Sequence, residues 1–160
     1  MPNGQARYHR AAPMSTVPPP PAVSRCNCLV LRQTARHVSA FYDAVLAPSG
    51  LRGTQFSIVA ALAERPPQTV GELAQHMVMD RTTLARNLKP LERDGLVAIT
   101  VGDDRRERRV TLSPRGRDKL AQAMPYWRTA QKRFEQRFGY DNARQMRETL
   151  GRVMHTELTD

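Results

Sequence analysis

From Cys28 to Val45 the residues Cys28, Leu31, Ala35, Val38, Tyr42 and Val45 recur at steps of three and four, which predicts one face of a long helix. The run "APSG" ends it. Thr54 is placed to cap a second, short helix whose body "QFSIVAALAER" is apolar nearly all round, as in a segment central to a core, and Pro66 and Pro67 terminate it. In "TVGELAQHM", Thr69 and Glu72 have the spacing of a capping box, with Val70, Leu73, Ala74 and Met77 as the buried stripe. The connection "VMD" follows, and Asp80 caps "RTTLARNLKPLERDGL", where Leu84, Leu88 and Leu91 lie on one line. Pro90 removes one rung of that helix and predicts a kink near Asn87. Two short helices joined by a tight turn form a helix-turn-helix.

Period-two alternation comes next. Val97, Ile99 and Val101 alternate with Ala98 and Thr100, and Val110 and Leu112 with Arg109 and Thr111, so two strands form a hairpin whose tip is "GDDRRER". A hairpin directly after a helix-turn-helix is a wing. Ser113 then caps a long helix with Pro114 at its first position. Leu120, Met124, Trp127, Phe134 and Phe138 follow helical steps along it, with Gln131 the polar exception and Pro125 a site for a kink. Asp141 is placed to cap a final helix carrying Ala143, Met146, Leu150 and Val153.

The fold expected is mainly α with a small β-hairpin wing: a winged helix-turn-helix over residues 51–114, flanked by helices over 25–50 and 115–160. A winged helix-turn-helix leaves no surface of its own to cover the apolar seams of the flanking helices, so they pair with each other and with a second copy of the chain. Residues 1–24 contain "STVPPPPAV" and too few large apolar groups to offset the entropy of ordering, which predicts a disordered arm.

A length of 160 residues with 40% hydrophobic content suits one compact domain. The net charge of +10 comes mostly from arginine, which favours nucleic acid as the partner. Charge alone does not decide, since many basic proteins bind no nucleic acid, and position carries the argument further. On the helix after Asp80, Thr82, Arg86, Lys89 and Arg93 lie opposite the leucines, with Glu92 and Asp94 off that arc. Arg81, Thr82 and Thr83 at its N-terminus, with Arg86 and Asn87 one turn later, suit insertion into a major groove of double-stranded DNA. On the wing, Arg105, Arg106 and Arg108 are placed to reach the minor groove or the backbone. Asp104 faces the same way and would be repelled by phosphate; pairing with Arg106 across the tip gives it an orienting role instead. A merely solubilising turn, and an architectural or RNA-binding use of the same fold, stay open alternatives.

Other classes lack their signatures. The sequence has no Gly-rich phosphate loop, no acid–base motif and no nucleophile signature, so no enzyme or cofactor is expected. No apolar run approaches the roughly 20 residues that span a bilayer and the N-terminus has no secretory core, so a cytoplasmic protein without membrane contact is expected. Cys26 and Cys28 match neither a disulfide framework nor a zinc spacing, and no metal site is expected. His37 and His155 are lone histidines on helices.

The run "LKPLERDGLVAITVGDDRRERRVTLSPRG", together with "TQFSIVAAL" and "TVGELA" in the same order, resembles the MarR family of winged-helix transcription regulators. The resemblance covers about Cys26 to Leu158. It implies a homodimer held by the N- and C-terminal helices, with two winged lobes on a pseudo-palindromic operator, usually as a repressor relieved by a small effector. It places the recognition helix at Arg81–Arg93 and the wing pair at Asp104 and Arg106. In the organic-peroxide-sensing branch of the family a reactive cysteine near the start of the first helix is hydrogen-bonded by tyrosines. Cys28 and Tyr42 fall at two of those places, whereas Arg32 stands where a second tyrosine is expected. Cys28 is then either a small core residue on the apolar seam or a redox switch. The resemblance also implies an effector pocket between the flanking helices and the winged lobe, where Arg32 or Arg36 would attract a small aromatic acid.

Overall fold

The computed structural model describes residues 25–102, 104 and 107–158. The arm expected over residues 1–24, and Arg105 and Arg106 of the wing tip, lie outside the described residues. The chain falls into two compact units, residues 1–36 and 37–160. The first contributes the opening of helix α1 (Asn27–Leu46), where the Cys26 carbonyl accepts the Val30 N–H at 3.1 Å. Cys26, Cys28, Leu31, Arg32 and Arg36 are all exposed. Among the described residues Cys28 is thus exposed, not a buried core residue.

In the second unit α1 runs on into a 3-10 turn (Ala47–Ser49), closed by Gly50 at φ 74°. Then come α2 (Gly53–Ala63), β1 (Gln68–Thr69), α3 (Val70–His76), α4 (Arg81–Arg93), β2 (Val97–Val101), β3 (Arg108–Leu112), α5 (Pro114–Phe138) and α6 (Tyr140–Met154). The sheet is antiparallel in the order β1-β3-β2, with Gln68 opposite Val110 and Ile99 also opposite Val110. Strand β1 is not legible in the sequence, because two residues are too few to show a period. Both α4 and α5 run without a break in their span through Pro90 and Pro125.

Leu84, Leu88 and Leu91 of α4 are buried against Ile58, Val59 and Leu62 of α2, Leu73 of α3, and Val97, Val110 and Leu112 of the sheet. Each such side chain withdrawn from water contributes about 1.5–3 kcal/mol, and together they fix the polar side of α4 outward. Trp127 of α5 stacks on Phe56 of α2 at 6.0 Å between ring centroids, tying the long helix to this core.

Two of the expected caps are made differently. Thr54 lies inside α2, whose first N–H, that of Gly53, is instead taken by the Asp43 carboxylate of α1 at 2.6 Å. Asp141 lies in the first turn of α6 and pairs with Arg144 at 3.1 Å. The chain turns at Gly139, φ 95°, and Asn142 donates to the Phe138 carbonyl at 2.8 Å, closing the end of α5. Gln131, the polar exception on α5, accepts the Tyr42 hydroxyl of α1 at 2.5 Å. Glu135 of α5 pairs with Arg147 of α6 at 3.0 Å.

Candidate nucleic-acid interface

The polar face of α4 begins at its cap. Asp80 accepts the Thr83 N–H at 2.8 Å with one carboxylate oxygen and the Thr83 hydroxyl at 2.6 Å with the other. These two bonds, the hydroxyl's first, hold the Asp80 carboxyl below its ordinary range. The Thr83 carbonyl in turn receives the Asn87 amide at 2.9 Å. Thr83 and Asn87 are thus partly committed to the helix itself: the Thr83 hydroxyl proton is used, and Asn87 is half-buried, lining a cavity with Asp43, Arg52 and Gln55 rather than standing on the open face. Thr82 and Arg86 are exposed. Arg93 is exposed too, but its Nε lies 3.0 Å from Asp94, so the acid judged off the arc reaches this end of the face.

Arg81 turns toward α3. A Cβ on Gly71 would lie 3.2 Å from its Nη2, so the guanidinium rests against bare backbone there. Arg81, Lys89 and Arg108 line a cleft of about 530 Å³ between α3, α4 and the hairpin, over a floor that includes Val70, Ala85, Leu88 and Ile99. Glu92 and Glu107 stand on the same walls. The structure brings Arg81 and Lys89 of α4 and Arg108 of the wing, predicted from two separate segments, to one cleft.

The wing closes on two backbone bonds, from Gly102 N–H to the Glu107 carbonyl at 3.0 Å and from Glu107 N–H to the Asp104 carbonyl at 2.8 Å. Asp104 is exposed; its expected partner Arg106 lies outside the described residues. Arg109 is a further residue of the wing, outside the set that the sequence marks. Its Nη2 is 3.9 Å from Glu107, its backbone pairs with Thr69 of β1, and its charge helps lower the Glu72 carboxyl, after the larger effect of the bonds from Thr69. It couples the base of the wing to the start of α3. The sequence carries no signal for it beyond its place on the polar phase of a strand, in step with Thr111.

A second cavity, of about 280 Å³, opens between α1, α2, α5 and the turn before α4; Val38, Tyr42, Phe56, Met77, Met79 and Trp127 are among its walls. A phenol has one O–H, and that of Tyr42 goes to Gln131. Cys26 and Cys28 are free thiols. Among the described residues no group of three His, Cys, Asp or Glu side chains gathers as a metal site, and no helix is long and apolar enough to cross a membrane.

A helix-turn-helix backed by a three-stranded sheet, with a basic cleft between its second helix and the hairpin, defines a winged helix-turn-helix regulator. The sequence model of the MarR family matches residues 49–107, from the 3-10 turn into the wing. The fold is shared with the Mycobacterium tuberculosis transcriptional regulator MosR in complex with DNA: 38% identity, 81% of this chain and 96% of that one covered, TM-score 0.71. The transcriptional repressor CouR bound to a 23-mer DNA duplex superposes with TM-score 0.74 at 26% identity, covering 84% of this chain and 96% of that one. The HTH-type transcriptional regulator YwoH of Bacillus subtilis is 31% identical over 83 residues, 52% of this chain and 61% of YwoH. The chain belongs to the MarR family of transcription regulators.

Proposed function

We propose that the protein is a sequence-specific DNA-binding regulator that binds a pseudo-palindromic operator as a homodimer and is released from it by a small effector. The observation that carries the reading is the outward face of α4, where Thr82 and Arg86 stand exposed beside a cleft holding Arg81, Lys89 and Arg108. Similarity to MosR and CouR, each solved on DNA, supports the same side as the docking face. Exposed Val30 and Leu31 on α1, and Val153 and Met154 on α6, support a second copy as the cover of the flanking helices. The 280 Å³ cavity, walled largely by apolar and aromatic side chains, supports a small aromatic ligand as the effector.

The test is selection of a preferred duplex from a random library, followed by footprinting and stoichiometry at fixed salt. Two chains per duplex are expected, with protected half-sites roughly 34 Å apart and a preference over random DNA of about 10³-fold or more. Binding without sequence preference would make the protein architectural.

A further inference from the structure

We propose that Val78 is a specificity-determining residue that packs against a thymine 5-methyl group of the bound DNA; the inference rests on the DNA-binding reading above. Val78 adopts φ 52°, and among the described residues it alone, apart from glycines, has positive φ. It ends α3 in the position that favours glycine: the Met79 N–H reaches back to the Ala74 carbonyl at 2.8 Å and the Val78 N–H to Gln75 at 3.1 Å. A β-branched side chain is poorly suited to that backbone. Burial gives nothing back, because Val78 is 79% exposed while its neighbours Met77 and Met79 turn inward against the core.

A strained backbone carrying an exposed apolar side chain is unfavourable twice over in the isolated chain, which points to a partner as the source of the gain. The turn immediately precedes Asp80 and so shares an end with Thr82, the end of α4 that enters a major groove in this class of motif. An isopropyl group makes no hydrogen bond. On the base edges of a major groove the apolar group available to it is the 5-methyl of thymine.

The experiment uses the full chain and a duplex selected from a random library by wild-type protein. Val78→Gly, which relieves the strain, is expected to melt at or above the wild-type temperature, to bind the selected duplex about 3- to 10-fold more weakly, and to bind random duplex equally well. Replacing thymines one at a time by deoxyuridine is expected to reveal one position per half-site where wild type loses the same factor and Val78→Gly loses nothing. Val78→Asn, which tolerates this backbone without an apolar group, is expected to behave like the glycine variant. Equal loss on selected and random duplexes, a deoxyuridine effect that persists in Val78→Gly, or unchanged affinity in both variants would each overturn the proposal while leaving the DNA reading intact. Altered dimer dissociation with unchanged DNA affinity would assign Val78 to a protein contact and also overturn it. A wild-type protein that binds no duplex removes both readings.

Discussion

The Tyr42 hydroxyl donates to the side-chain carbonyl of Gln131, joining α1 to α5 across 89 positions of sequence. Both residues are half-buried, so deleting one partner leaves a polar atom poorly solvated. Tyr42→Phe is expected to cost about 1 kcal/mol in urea unfolding, and the double change with Gln131→Leu to recover most of it, since removing both partners restores the match. Burial, and then the Glu135 charge, push the Tyr42 phenol above its ordinary range, with Arg147 opposing. The folded state thus favours the neutral phenol. Its contribution to stability is whole below the unfolded pKa of about 10 and is lost as pH rises through the higher folded value. The stability difference between wild type and Tyr42→Phe should therefore change above about pH 10.

Gly116, in the first turn of α5, leaves no room for a methyl group. A Cβ there would meet the Leu96 carbonyl oxygen at 2.1 Å and Leu112 Cδ1 at 2.5 Å. Gly116→Ala must displace α5 from the sheet, and a loss of about 2–3 kcal/mol or more is expected. Thermal unfolding within a few degrees of wild type would contradict that packing.

Arg86 stands exposed on the outward face of α4. Arg86→Ala is expected to weaken the selected duplex by about 1–3 kcal/mol and random duplex much less. Equal losses on both would reduce Arg86 to a phosphate contact.

At the wing, charge and orientation predict opposite signs. Removing a carboxylate should tighten binding to a polyanion, yet if Asp104 holds Arg106 in place, Asp104→Ala should weaken it. We expect weakening at fixed salt. Tighter binding would leave Asp104 no orienting part.

Effector control separates two triggers. With the Tyr42 O–H given to Gln131, a ligand in the 280 Å³ cavity is favoured over oxidation of Cys28. Wild type and Cys28→Ser should both leave the operator when titrated with aromatic carboxylates and both stay bound in cumene hydroperoxide. Release of wild type alone by peroxide, with carboxylates inactive on both, would make the protein a thiol sensor.

What the sequence by itself determined is local. The leucine line of α4 follows from the helical period alone, and the Thr69–Glu72 box and the Asp80 and Ser113 caps rest on side chains meeting groups within one helical turn. Their partners are dictated by spacing, and the helix-turn-helix with its wing is therefore legible without coordinates. Where the partner is remote, tertiary structure decided the outcome. Asp43 displaced Thr54 as the cap of α2 because the end of α1 lies against it, and the apparent fault at Gln131 became an acceptor for Tyr42. Thr69, read as a cap alone, also forms part of a strand because β3 lies alongside. The same holds for the interface: periodicity put cations on one side of α4, but only packing brought Arg81 and Lys89 to one cleft with Arg108 of the wing. A side chain's face follows from helical geometry, whereas the group it meets depends on which distant segment the core brings within reach.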